Sequence, residues 1–165
     1  MALSGSVLYE EQLEQLRHLL ALLVNGANAR AAFLIDRSGQ QIAAVGDQIE
    51  EMDPTSLASL AAGNVASTDA LAKLVGEKEF SALVHEGERE NLHFSMINGR
   101  SILLMLFDER SSLGLVRLRV RKATTDLAEI LTQVEANQGH ESEEGRAMAA
   151  ALAEITDDDI DSLFA

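Results

Sequence analysis

Residues 102–107, "ILLMLF", form six consecutive apolar positions between the turn residues "NGR" and the polar segment "DERSS". A strand with one wet face alternates apolar and polar side chains, so an uninterrupted run marks a strand covered on both sides. The chain must therefore place structure on each face of a sheet. With 165 residues, 47% of them hydrophobic, it has material for one such core and an appendage.

The neighbours of that strand can be read in the same way. "ARAAFLID" and "QQIAAVG", separated by "DRSG", predict a hairpin. "SALVHEGE" and "ENLHFSMI" supply two more strands, the first of them an exposed edge. In the second, Leu92, Phe94 and Met96 alternate with His93 and Ser95, which predicts a polar face carrying His93. Helical spacing of Leu13, Leu16, Leu20 and Leu23 predicts a first helix over 8–24. The series Leu113, Val116, Val120, Ala123, Leu127, Ile130, Leu131 and Val134 predicts another over 112–137. The order is α-β-β-α-β-β-β-α. Its hairpin-length connections predict an α+β fold with a five-stranded antiparallel sheet and a helical layer. Residues 1–137 make the domain, and 138–165 read as an acidic linker and an amphipathic tail.

The second helix, "TSLASLAAGNVASTDALAKLVG" at 55–76, has an unusual composition. Winding it at about 100° per residue gathers Leu57, Leu60, Leu71, Leu74 and Val75 within about a third of the circumference, predicting the face toward the sheet. Ala58, Ser59, Ala62, Gly63, Ala66 and Ala70 gather on the other side, smooth enough for another backbone to approach. Thr55 or Ser56 is the expected cap and Gly76 the stop.

Chemistry is sparse. The chain has no cysteine, which excludes thiolate nucleophiles and cysteine-based metal sites and suits a reducing compartment. No phosphate-binding glycine motif or activated-nucleophile motif occurs. Only His85 and His93 could meet, and their spacing matches no metal site. No cofactor is expected. The net charge of −14 argues against nucleic acid or an anionic membrane as a partner. The N-terminal residues lack a leader pattern, so a cytoplasmic protein is expected.

Charge is distributed unevenly. Residues 139–165 carry eight acids and one arginine. "RLRVRK" concentrates Arg117, Arg119, Arg121 and Lys122 around the seam of the last long helix, either to solubilise it and pair with acids or to dock an acidic partner. "EITDDDIDSLF" places Ile160, Leu163 and Phe164 on one face of a short helix capped by Thr156, suited to a groove in a partner or to folding back on its own domain.

The segments "LYEE", "ANARAAFLIDRSGQ", "DPTSLASLAAGNVAST", "LAKLVGEKEF", "HEGERENL", "FDERSSLGLVRLRVRKA" and "EITDDDIDSLF" resemble the Roadblock/dynein light chain family in its bacterial MglB-type branch. The resemblance implies a homodimer with its second helices side by side and its third strands joined, through Ala58, Ala62, Val65, Val84 and Glu86. It implies a non-enzymatic activator of a GTP-bound, small Ras-like GTPase, one GTPase per dimer, acting without an arginine finger. By motif position the GTPase would meet Ala66 and Ala70, with Ser59, Ala62, Gly63 and Lys73 around them, and the tail would add a second contact. Control of polarity or motility, with concentration at a cell pole, is implied too. The other reading the family allows is a scaffold that binds a GTPase complex without accelerating hydrolysis.

Overall fold

A computed structural model describes residues 2–155 and Ser162. Five strands form one antiparallel sheet: β1 (Ala31–Asp36), β2 (Gln41–Gly46), β3 (Ala82–Glu86), β4 (Asn91–Ile97) and β5 (Ser101–Phe107), in the order β2-β1-β5-β4-β3. The apolar run is central, as its composition requires. Ile102 and Leu104 face one side of the sheet, and Leu103, Met105 and Phe107 face the other. β3 is an edge strand. The β4–β5 turn places Asn98 and Gly99 at φ 54° and 67°, the left-handed pair that a tight hairpin demands.

One face of the sheet is covered by α1 (Ala2–Gly26) and α3 (Leu113–Ala153). They run antiparallel: the Ser111 hydroxyl donates to the Ala27 carbonyl at one end, and Asn137 Nδ2 donates to Gln12 Oε1 at 3.2 Å further along. Leu16, Leu20 and Leu23 of α1 interdigitate with Val116, Val120, Leu127, Leu131 and Val134 of α3. The other face carries α2 (Pro54–Leu74), which packs on Phe33, Ile35, Phe94, Ile102 and Leu104. A short 3-10 turn, Ile49–Met52, leads into it.

Three expectations need correction. α3 continues to Ala153 as one helix of 41 residues, through the stretch expected to be a linker. Glu143, Glu144 and the alanines from Ala147 onward are good helix formers, and they outweigh Gly139 and Gly145. From Gln138 onward the described side chains are exposed. His93 is not solvated. It is 2% exposed, on the face covered by α3, and its pairing with Val84 and Met105 keeps it there. Finally, α2 is rotated about its axis, so that a third face, not the leucine stripe, meets the sheet.

Candidate functional site

α2 begins where Asp53, at φ 48°, turns the chain and caps the helix, rather than at Thr55 or Ser56. The Ser56 N–H donates to Asp53 Oδ1 at 3.3 Å and the Ser56 hydroxyl donates to Asp53 Oδ2 at 2.7 Å. These bonds, the hydroxyl's first, hold the Asp53 carboxyl below its ordinary range. Pro54 fits the first helical position, where no N–H is needed. At the far end Gly76 adopts φ 80°, and the N–H groups of Gly76 and Glu77 bond back to the carbonyls of Lys73 and Ala72. That is the expected glycine stop, closed by paired back-bonds.

The buried face of the helix carries Ala58, Ala61, Val65 and Ala72. Small side chains there let the helix approach a sheet face already crowded by Phe33, Phe94 and Leu104. The expected core residues point away: Leu60, Leu71, Leu74 and Val75 are 73%, 57%, 83% and 68% exposed, and only Leu57 keeps a partial contact with the core. Ser59, Gly63, Ala66 and Ala70 are exposed, as winding the sequence predicts, but the leucines are exposed too, and the face that meets the sheet lies between the two stripes on the inner side.

The solvent-facing half of α2 therefore has two stripes. Leu60, Leu71 and Val75 lie toward β3, the side on which Asn64 Nδ2 bonds to His85 Nε2 at 3.2 Å. Ser59, Gly63, Ala66, Ala70 and Lys73 are exposed toward the β1–β2 turn. There Gly39 lies against Ser59, and Arg37 pairs with Asp69. Between the stripes, the Ser67 hydroxyl is committed to the Gly63 carbonyl at 3.0 Å. The surface offers shape and apolar area but few free donors.

Of the residues expected at a dimer contact, Ala58 and Val65 are 2% and 7% exposed and are used by the core, because they face the sheet. Ala62 and Val84 are half-buried, and Glu86 is exposed on the edge strand. Arg117, Arg119, Arg121 and Lys122 are exposed on α3, across the sheet from α2, and none forms an ion pair among the described residues. Ile160, Leu163 and Phe164 lie outside the described residues, as does the expected Thr156 cap. The outward leucines were missed as surface residues, although the scarcity of charge on the whole helix was a signal that neither face is a solvated one.

His85 and His93 occupy opposite faces of the sheet, and the described residues contain no group of three or more His, Asp or Glu able to hold a metal. Burial first, then the Arg117 charge, pushes the His93 imidazole below its ordinary range; its Nδ1 has no partner among the described residues. An open polar groove of about 690 Å³ borders Ala21, Arg30, Asp47 and Arg110, with Arg30 paired to Glu90 and Arg110 to Asp108. No described helix is long and apolar enough to cross a membrane.

A model of the Roadblock/LC7 domain matches residues 16–107, from α1 to the end of β5. This chain is a Roadblock/LC7 protein. Its fold is similar to Myxococcus xanthus MglB, with 43% identity over 74% of this chain and 91% of that one, and a TM-score of 0.70. The gliding protein MglB of Thermus thermophilus is 36% identical over 74% and 92%, with a TM-score of 0.69. An MglB structure with a tetrameric arrangement is 35% identical over the same shares, with a TM-score of 0.70. No curated protein matches. The Roadblock region ends before α3, so the basic cluster and the acidic tail lie beyond the family match.

Proposed function

We propose that this MglB-like chain is a homodimer that accelerates GTP hydrolysis in a small Ras-like GTPase of the MglA type. The observation that carries the reading is the outward apolar and small-residue face of α2, in a chain 43% identical to an MglB protein. Three leucines left in water have a reason if a second protein surface covers them. The leucine stripe and the β3 edge are continuous. Pairing both with their twins would bury the leucines and remove an open strand edge, with Val84 and Glu86 at the seam and Ala62 left on the small stripe.

The small stripe then serves the GTPase. Ala66 and Ala70, with Ser59, Gly63 and Lys73 around them, allow a partner backbone to lie close to the helix. One GTPase per dimer is proposed. The activator supplies no reacting group. Its binding energy favours a conformation in which the GTPase's own side chains stabilise the charge on the transferring phosphoryl group. Ile160, Leu163 and Phe164 are proposed as a second contact on the GTPase, tethered by α3. A role in motility or polarity draws on the Thermus relative's description as a gliding protein.

Single-turnover GTP hydrolysis by the cognate GTPase, with and without a twofold excess of this protein, tests the reading. Acceleration that disappears in Ala66→Arg supports it, because Ala66 is exposed and the substitution leaves the core alone. Binding without acceleration makes the protein a scaffold. An Ala66→Arg dimer that still accelerates hydrolysis overturns the assignment of the surface.

A further inference from the structure

The cluster on α3 is arranged in space as a patch. Leu118 is 47% exposed at the centre of the helix's outer side. Arg121 and Lys122 stand one turn after it, Gly114 stands one turn before it, and Arg117 lies on the flank. Arg119 turns aside toward Gly26 at the end of α1. The acids further along the helix, Asp126 and Glu129, form no ion pair with these cations. In a chain of net charge −14 this is an uncompensated cationic surface with an apolar centre.

The complement is in the same sequence. Residues 157–161 are three aspartates, Ile160 and a fourth aspartate, followed by Leu163 and Phe164. Acid interleaved with large apolar side chains matches cations surrounding a leucine. The helix decides which copy can supply it. From Arg121 to Ala153, α3 rises about 48 Å at about 1.5 Å per residue. The eight residues from there to Asp161 span at most about 29 Å even when fully extended. A tail cannot reach its own patch. We infer that the outer face of the first turns of α3 is the docking site for the acidic tail of a second copy of this chain. The four aspartates lie against Arg117, Arg121 and Lys122, and an apolar side chain covers Leu118. Each exposed ion pair contributes little alone, so the contact depends on several acting together and weakens as salt screens them. This is where the tail rests when no GTPase engages it. Its test needs no GTPase, so failure here leaves the reading above standing.

The absence of native cysteine permits a direct test. Gly114 has open space where a side chain would stand, so the full-length double variant Gly114→Cys/Ala165→Cys keeps the fold. On mild oxidation, denaturing electrophoresis should show covalent dimers and larger species. Adding Arg117→Glu, Arg121→Glu and Lys122→Glu should slow their formation at least tenfold. All three residues are exposed and outside the core, so that variant folds, as its circular dichroism will check. Absence of links, an internally linked monomer, or linking indifferent to charge reversal would each overturn the inference. So would equal linking by either single-cysteine variant. Co-sedimentation of the full chain with phosphatidylserine vesicles, lost on charge reversal, would reassign the patch to a membrane surface and overturn it too.

Discussion

Leu60→Gln distinguishes an α2 whose leucines face outward from one whose leucines hold the sheet. Fully burying a leucine contributes about 1.5–3 kcal/mol. Leu60 is 73% exposed in the single chain, so covering the remainder in a dimer is worth about 1–2 kcal/mol per copy. A twofold interface contains the residue twice, giving about 2–4 kcal/mol. The dimer dissociation constant should therefore rise roughly 30- to 900-fold. The folded chain should barely notice, since glutamine is a good helix former and the core loses almost nothing. Had Leu60 been a core residue, replacing it with a polar side chain would cost at least the roughly 2–5 kcal/mol typical of emptying such a site. Sedimentation equilibrium reads the first quantity. Thermal unfolding, followed by circular dichroism at concentrations where both proteins are monomeric, reads the second. An unchanged dissociation constant would refute the interface, and a collapse of monomer stability would refute the orientation of the helix.

Other outcomes follow from particular sites. Gly46 sits at φ 142°, and a Cβ there would overlap the Arg30 carbonyl and Ala31 Cα; Gly46→Ala should cost about 2–4 kcal/mol in a denaturant titration, from strain and overlap together. His93 is held below its ordinary value by burial and the Arg117 charge, so the unfolded chain takes up its proton first as pH falls. The His93 contribution to stability is thus constant above the unfolded value near 6.5 and declines below it; His93→Leu should flatten that part of the stability–pH curve while leaving stability at pH 8 close to the parent.

The sequence made the sheet legible because its signals are local. "ILLMLF" can satisfy its side chains only as a doubly covered strand, and "NGR" and "DRSG" are turns wherever they occur. α2 was legible as a helix with two faces, but not in its orientation. Winding a sequence reports angles between residues, and no angle within the helix tells which side meets the sheet. What decides is the bulk of Phe33, Phe94 and Leu104 opposite, which leaves room for Ala58 and Ala61 and not for a row of leucines. His93 was misplaced for a related reason. Alternation along β4 identifies two faces, and the cover that α3 lays over the second is not written in β4. The end of α3 was misread because Gly139 and Gly145 look like punctuation, whereas the glutamates and alanines around them sustain the helix.

The continuation of α3 alters what a terminal segment can do. A flexible stretch of sixteen residues, the length of 138–153, would have a root-mean-square span of about 20–24 Å in any direction. As helix, the same residues rise about 24 Å. The helix therefore gains the tail almost no distance. It removes choice of direction instead, turning a sphere of accessible positions into a small cap at the end of a boom. A partner within that cap meets the tail at a much higher local concentration than a random coil would provide, and one outside it hardly meets the tail at all.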